Sequence, residues 1–259
     1  MNESTPELFY TKLGNGKDVL LLFHGFGQDN TAFTPLARSL SNRYTCYIFD
    51  LYFHGKSKWA HNEQPLEKKV WRAILQRFLH ENQIDSFSLL GYSMGGKFVL
   101  ATLEAYADKV TKVFLLAPDG VKTNFWYYLA TYPVLLRKLF KSMIHHQDRF
   151  LSISRTLNRI GIIDKSILRF AEYQMNTTEK RERVYYSWVV FRKLKFNITV
   201  LATLANERAI PVTIIVGKYD KVITPASMNT FVKQLHQACF IVIEAGHNFL
   251  THPELAELI

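Results

Sequence analysis

Six short runs of almost unbroken hydrophobic residues punctuate the chain, at 19–23, 44–51, 86–92, 110–117, 212–216 and 240–243. Strands buried on both faces of a parallel sheet have this pattern, because neither face meets water. Between them the period changes. Residues 34–40 fit a short helix, and 65–82 repeat Leu66, Val70, Ile74, Leu75, Phe78 and Leu79 at helical spacing. A third helix is predicted over 95–107. Strands alternating with helices imply an α/β fold, a mostly parallel central sheet flanked by helices. At the start, residues 8–13 and 18–23 are separated by Gly14-Asn15-Gly16 and predict a hairpin, since Asn and Gly tolerate positive φ. After Pro118 the alternation stops. Residues 121–206 predict helices, including a basic amphipathic one over 134–146 and another beginning near Thr178 behind a capping threonine. Alternation resumes with the strand at 212–216, a helix over 225–237, the strand at 240–243 and a last helix after His252. The expected organisation is a core of 1–118 and 210–259 interrupted by a helical insertion over 119–209.

At 259 residues, 48% hydrophobic and 21% charged, the composition is that of a folded protein and excludes a disordered chain. Charge is unevenly placed: residues 119–210 hold 16 Lys and Arg against 7 Asp and Glu, or +9 of the total +10. Such an excess is a solvated helical surface, or an attraction for an anionic substrate or membrane surface. No nucleic-acid motif accompanies it. The polar start, Met-Asn-Glu-Ser-Thr-Pro-Glu, and the lack of a spanning apolar run predict a cytoplasmic location without stable membrane insertion. Cys46 and Cys239 lie in strand-like stretches and are expected to be buried, unpaired thiols. His145 and His146 have no carboxylate or cysteine at ligand spacing, so no metal is expected there.

The run at 86–92 ends in Gly91-Tyr-Ser93-Met-Gly95 and passes directly into a helical pattern. A serine in GxSxG between strand and helix sits on a strained turn with its hydroxyl clear of the sheet, which makes Ser93 the candidate nucleophile. A serine hydroxyl needs a base, and the base needs a third group to hold its tautomer. Asp220 and His247 each follow a predicted strand, so they fall on the same sheet edge as Ser93. Asp119, which follows the strand at 110–117, is an alternative acid. For an oxyanion, the backbone N–H groups of Met94 and of Phe26, in His24-Gly-Phe-Gly27, are the candidate donors. His24 and His54 are expected to bond nearby backbone.

These motifs, with the segment Asp50-Leu-Tyr-Phe-His-Gly-Lys-Ser57 and the order serine, acid, histidine, resemble the α/β-hydrolase-fold serine hydrolases of the esterase and lipase type. The resemblance covers about residues 8–118 and 210–259. One departure is Tyr52-Phe53, where many relatives carry Pro-Gly. The resemblance implies a cap inserted after the sixth strand, over the serine, and hydrolysis of a small-molecule carboxylic ester, or a thioester, without a cofactor. Phe125, Trp126, Tyr127, Tyr128 and Tyr132 are candidates for an acyl pocket, with Tyr92, Trp126 and Tyr128 as substrate contacts. A lyase of the menaquinone pathway shares a similar elbow but places arginine where this chain has Lys97. A catalytically idle, ligand-binding homologue is the third reading. Oligomeric state is left open.

Overall fold

The computed structural model describes residues 6–122, 125–159, 161 and 165–259; for 125, 126, 157, 165–167, 170 and 171 only the backbone is described. The chain divides into two compact units. One comprises the residues up to Ala60, Leu66–Lys122 and Leu194–Ile259; the other comprises His61–Pro65 and Thr123–Lys193.

The first unit is built on a seven-stranded sheet: β1 (Tyr10–Leu13), β2 (Asp18–Phe23), β3 (Tyr44–Phe49), β4 (Phe87–Tyr92), β5 (Val110–Leu116), β6 (Val212–Gly217) and β7 (Ala238–Ile243). Their spatial order is β1-β3-β2-β4-β5-β6-β7, all parallel except β1. The expected hairpin does not form. Strand β1 pairs with β3, Tyr10 opposite Phe49 and Leu13 opposite Cys46. Gly14 and Gly16 serve a close approach instead: a Cβ on Gly16 would lie 2.1 Å from the Arg43 carbonyl carbon, because this loop presses against residues 41–44.

Helices α1 (Thr34–Leu40), α2 (Lys68–Glu81), α3 (Gly95–Tyr106), α9 (Ile198–Glu207) and α10 (Pro225–Val232) belong to this unit. The alternation of β2 side chains explains how both sheet faces are buried. Leu20 and Leu22 join Phe33, Leu36, Phe249 and Leu255 on one face. Phe23 faces the other way, stacking on Phe49 at 5.2 Å between ring centroids and meeting Trp71 and Phe98 edge-on or offset. The segment after His252 makes only a single 3-10 turn, Pro253–Ala256.

The second unit contains α4 (Phe125–Thr131), α5 (Val134–Ser142), α6 (Gln147–Arg159), α7 (Lys165–Gln174) and α8 (Thr178–Phe191), capped by Thr177, whose hydroxyl accepts from Lys180 N at 3.2 Å. Glu63, from the short segment in this unit, pairs with Lys141 and accepts from the Tyr185 hydroxyl at 3.0 Å. Buried Arg181 donates to the carbonyls of Ile144 and Met175, at 2.7 and 2.9 Å. Of the residues 119–209 expected as a helical insertion, Thr123–Lys193 fall in this second unit and the rest group with the first. Helix α9, with Leu201, Ala202 and Ala205 buried, packs on α3, which in turn lies against β4 and β5. Among the described residues the insertion leaves after β5, the fifth strand of the chain, because only one strand precedes β2.

Cys46 is buried, but Cys239 is exposed, since β7 is an edge strand and its alternate side chains face outward. Burial pushes the Cys46 thiol up to about 11. The reactive thiolate therefore forms only in strong alkali. Iodoacetamide at pH 8 is expected to modify Cys239 and spare Cys46, as read by peptide mass spectrometry; equal labelling would contradict this packing.

Candidate active site

Chain connection sets the location before any side chain does. From β2 the chain crosses to β3 on one side and then to β4 on the other, so the loops leaving β2 and β4 part at a topological switch point. A crevice opens at such a point along the carboxyl ends of the strands. Ser93 stands at the end of β4 with φ +49°, the left-handed region. Three backbone bonds hold it there. Its N–H donates to Leu116 O at 2.9 Å, and its carbonyl accepts from Gly96 N at 2.9 Å and Asp119 N at 2.8 Å. The neighbouring glycines are needed for space: a Cβ on Gly95 would lie 1.9 Å from Phe23 O, and one on Gly91 would lie 2.6 Å from Val99 Cγ2. Helix α3 can thus start against β2, and the serine hydroxyl is left half-buried at the crevice.

Ser93 Oγ lies 3.0 Å from His247 Nε2, and His247 Nδ1 lies 2.6 Å from Asp220 Oδ2. Asp220 is 3% exposed. Its Oδ1 accepts from Val222 N at 2.7 Å and Ile223 N at 2.8 Å, which orients the carboxylate and leaves Oδ2 for the imidazole. With Nδ1–H given to the carboxylate, Nε2 carries a lone pair and accepts a hydrogen bond from the Ser93 hydroxyl. The other acid candidate goes elsewhere: Asp119 Oδ2 is 3.0 Å from Nζ of buried Lys97. Two loops from distant parts of the chain are pressed together here. A Cβ on Gly217 would lie 2.3 Å from Gly246 O, and Tyr219 N donates to Ala245 O at 2.9 Å.

The loop after β2 is ordered by Asp50 and Gln28, whose roles the sequence left unassigned, and by His24 and His54. Buried Asp50 accepts from Asn30 N at 2.7 Å and Asn30 Nδ2 at 2.8 Å through Oδ1, and from Lys56 N at 2.7 Å through Oδ2. His24 Nε2 accepts from Leu51 N at 2.9 Å and His54 Nε2 from Gly27 N at 3.0 Å, so each ring donates through Nδ1, to Gly25 O and Tyr52 O respectively. Gly25 N donates to Gln28 Oε1 at 3.0 Å. Both histidines are thus bonded to backbone, as expected. The N–H groups of Phe26 and Met94 donate to no acceptor among the described residues. Phe53 adopts φ +68°, a left-handed conformation that glycine takes without strain and that costs a non-glycine residue about 1–2 kcal/mol. An acid between an apolar strand and a glycine-containing loop is the signal that would have marked Asp50.

A sequence family described as the alpha/beta hydrolase fold matches residues 18–152, more than half of the chain. The chain belongs to this family. It is an α/β-fold hydrolase, and its seven-stranded, mostly parallel sheet with flanking helices is the sheet of that fold. Lipase 1 of Psychrobacter immobilis is 25% identical over 258 residues, 94% of this chain and 76% of the relative. The pimeloyl-[acyl-carrier protein] methyl ester esterase of Chromobacterium violaceum is 28% identical over 121 residues, 46% of this chain and 44% of that one. Among solved structures, a thermophilic esterase from Thermogutta terrifontis superposes with TM-score 0.70 at 20% identity, covering 97% of this chain and 91% of that one.

In this α/β-hydrolase the three expected substrate contacts fare differently. Tyr92 is buried, and its hydroxyl donates to His247 O at 2.8 Å, with the two rings 5.6 Å apart. Burial, reinforced by the Asp220 charge, pushes its phenol up, so it remains a donor. Its hydroxyl is therefore engaged by the histidine loop, where a substrate contact was expected. Tyr128 is exposed and stacks on Tyr132 at 4.7 Å. The side chain of Trp126, like that of Phe125, lies outside the described residues.

Proposed function

We propose that this α/β-hydrolase cleaves a carboxylic ester, or a thioester, through an acyl-enzyme on Ser93. The observation that carries this reading is the continuous hydrogen-bond chain from Ser93 Oγ through His247 to Asp220. His247 Nε2 takes the Ser93 proton as Oγ bonds to the acyl carbon, and the carbonyl oxygen becomes an oxyanion. Asp220 holds the imidazole tautomer and stabilises the imidazolium. The N–H groups of Phe26 and Met94 receive the oxyanion, and the positive end of α3 adds to that field. On collapse the C–O bond to the alcohol, or the C–S bond to the thiol, breaks, and the leaving oxygen or sulfur takes its proton from His247. Water then attacks the acyl carbon, giving a proton to His247; the bond from that carbon to Ser93 Oγ breaks, Oγ takes the proton back from His247, and the acid is released. Tyr92 acts through His247, by fixing the backbone of its loop.

The names of the relatives, a lipase and an ester esterase, support this chemistry. Pairing of Lys97 with Asp119 weighs against the lyase reading, which needs a cation free for a substrate carboxylate. A panel of p-nitrophenyl esters and thioesters graded by chain length, run beside fluorophosphonate labelling, tests the reading. We expect turnover together with one phosphonate adduct on the peptide bearing Ser93. Labelling of a different residue, or no turnover across the panel, would overturn it.

A further inference from the structure

We infer that the outer face of α5 and α6 is a docking surface for an anionic lipid bilayer. Helix α5 turns Phe140 inward but leaves Val134 and Leu135 55% and 79% exposed, with Leu139 40% exposed one turn after Leu135. Leucines at i and i+4 share one face of a helix, and Lys138 stands on that face beside them. Large aliphatic side chains so exposed on one helix face form a patch rather than isolated surface positions. The patch extends to α6. Leu139 lines a shallow groove together with Arg149 and Ile153, and Ile153 is itself 37% exposed. A second groove shares Asp148 and Ser152 with the first and brings in Arg155 and Arg159, one turn apart. Apolar anchors thus lie beside a basic helix face that carries a single acid, Asp148.

Charge complementarity decides the occupant. The unit formed by 61–65 and 123–193 holds 13 Lys and Arg against 6 Asp and Glu, a net +7. A second copy of this chain would bring the same basic residues against themselves. A bilayer containing anionic phospholipid offers opposite charge and an acyl layer for Leu135 and Leu139. Among the described residues no helix is long and apolar enough to cross a membrane, so the contact is peripheral. It is independent of the proposed ester chemistry.

The test is co-sedimentation with vesicles of phosphatidylcholine, with and without phosphatidylglycerol, in low salt. The intact protein is expected to bind the anionic vesicles at least about tenfold more tightly than the neutral ones, with added salt weakening the contact. Lys138→Glu with Arg149→Glu should reduce binding to anionic vesicles by at least about tenfold, at roughly fivefold per basic residue removed. Leu135→Glu with Leu139→Glu should reduce it by a similar factor through lost apolar insertion. None of the four positions has a role in the proposed ester chemistry, so turnover of a soluble short ester should be unchanged and reports that each variant is folded. Ser93→Ala should bind vesicles like the wild type, which keeps this inference separable from the catalytic one. Equal binding to neutral and anionic vesicles, or variants that bind undiminished, would overturn it. So would a wild-type dimer in sedimentation velocity that Leu135→Glu with Leu139→Glu dissolves.

Discussion

Ser93→Ala is expected to lower kcat/KM for a p-nitrophenyl ester by at least about 10⁴-fold, while the melting temperature stays within a few degrees of wild type. The separation of the two effects follows from how the serine is held. Its strained backbone is fixed by its own N–H donating to Leu116 O and its carbonyl accepting from Gly96 N and Asp119 N, none of which involves the side chain. Alanine keeps those bonds and the positive φ. What disappears is Oγ and its bond to His247 Nε2 at 3.0 Å, a half-buried contact contributing about 1 kcal/mol to stability. In the proposed mechanism the nucleophile, by contrast, is lost completely. Steady-state kinetics beside a thermal melt would check this. Hydrolysis persisting above a tenth or so of the wild-type rate would rule out Ser93 as the acyl acceptor.

The second large effect separates the two acids. Asp220→Asn should reduce kcat by about 10⁴-fold with a small change in stability. An asparagine retains an oxygen for Val222 N and Ile223 N, which donate to Asp220 Oδ1 at 2.7 and 2.8 Å, and so presents its amide hydrogens to His247 Nδ1. That forces the proton onto Nε2, where it faces Ser93 as a donor, and the base is lost. Asp119→Asn should do the reverse. It removes the carboxylate 3.0 Å from the buried Lys97 ammonium and is expected to cost about 1–3 kcal/mol of stability, with kcat falling less than about tenfold. Denaturant unfolding and steady-state kinetics on the two variants give four numbers. A collapse of kcat in Asp119→Asn with Asp220→Asn active would reassign the acid.

Much of this fold is legible in the chain because buried parallel strands must be apolar on both faces. The runs at 19–23, 110–117 and 212–216 fall on β2, β5 and β6 nearly residue for residue. Element ends were less clear. The helix expected from 65 begins at Lys68, behind an extended Glu67, and the one expected to reach 237 stops at Val232. The local signals there, a proline and a run of polar residues, allow several boundaries.

What the sequence determined by itself is what local chemistry demands. A serine at positive φ between a strand and a helix requires Gly91 and Gly95, and Asp220 and His247 each had to leave a strand at the sheet edge that carries Ser93. Partners distant in the chain were decided only by the tertiary structure. Both Asp119 and Asp220 follow strands, and only the packing of the 217–220 loop against 245–246 brings Asp220 Oδ2 to 2.6 Å from His247 while Asp119 turns to Lys97. Pairing of β1 with β3, the engagement of Tyr92 with the histidine loop and the anchoring of the β2 loop by Asp50 are of the same kind. Each depends on which backbone groups meet across the folded chain, and residue types and their spacing do not encode that choice.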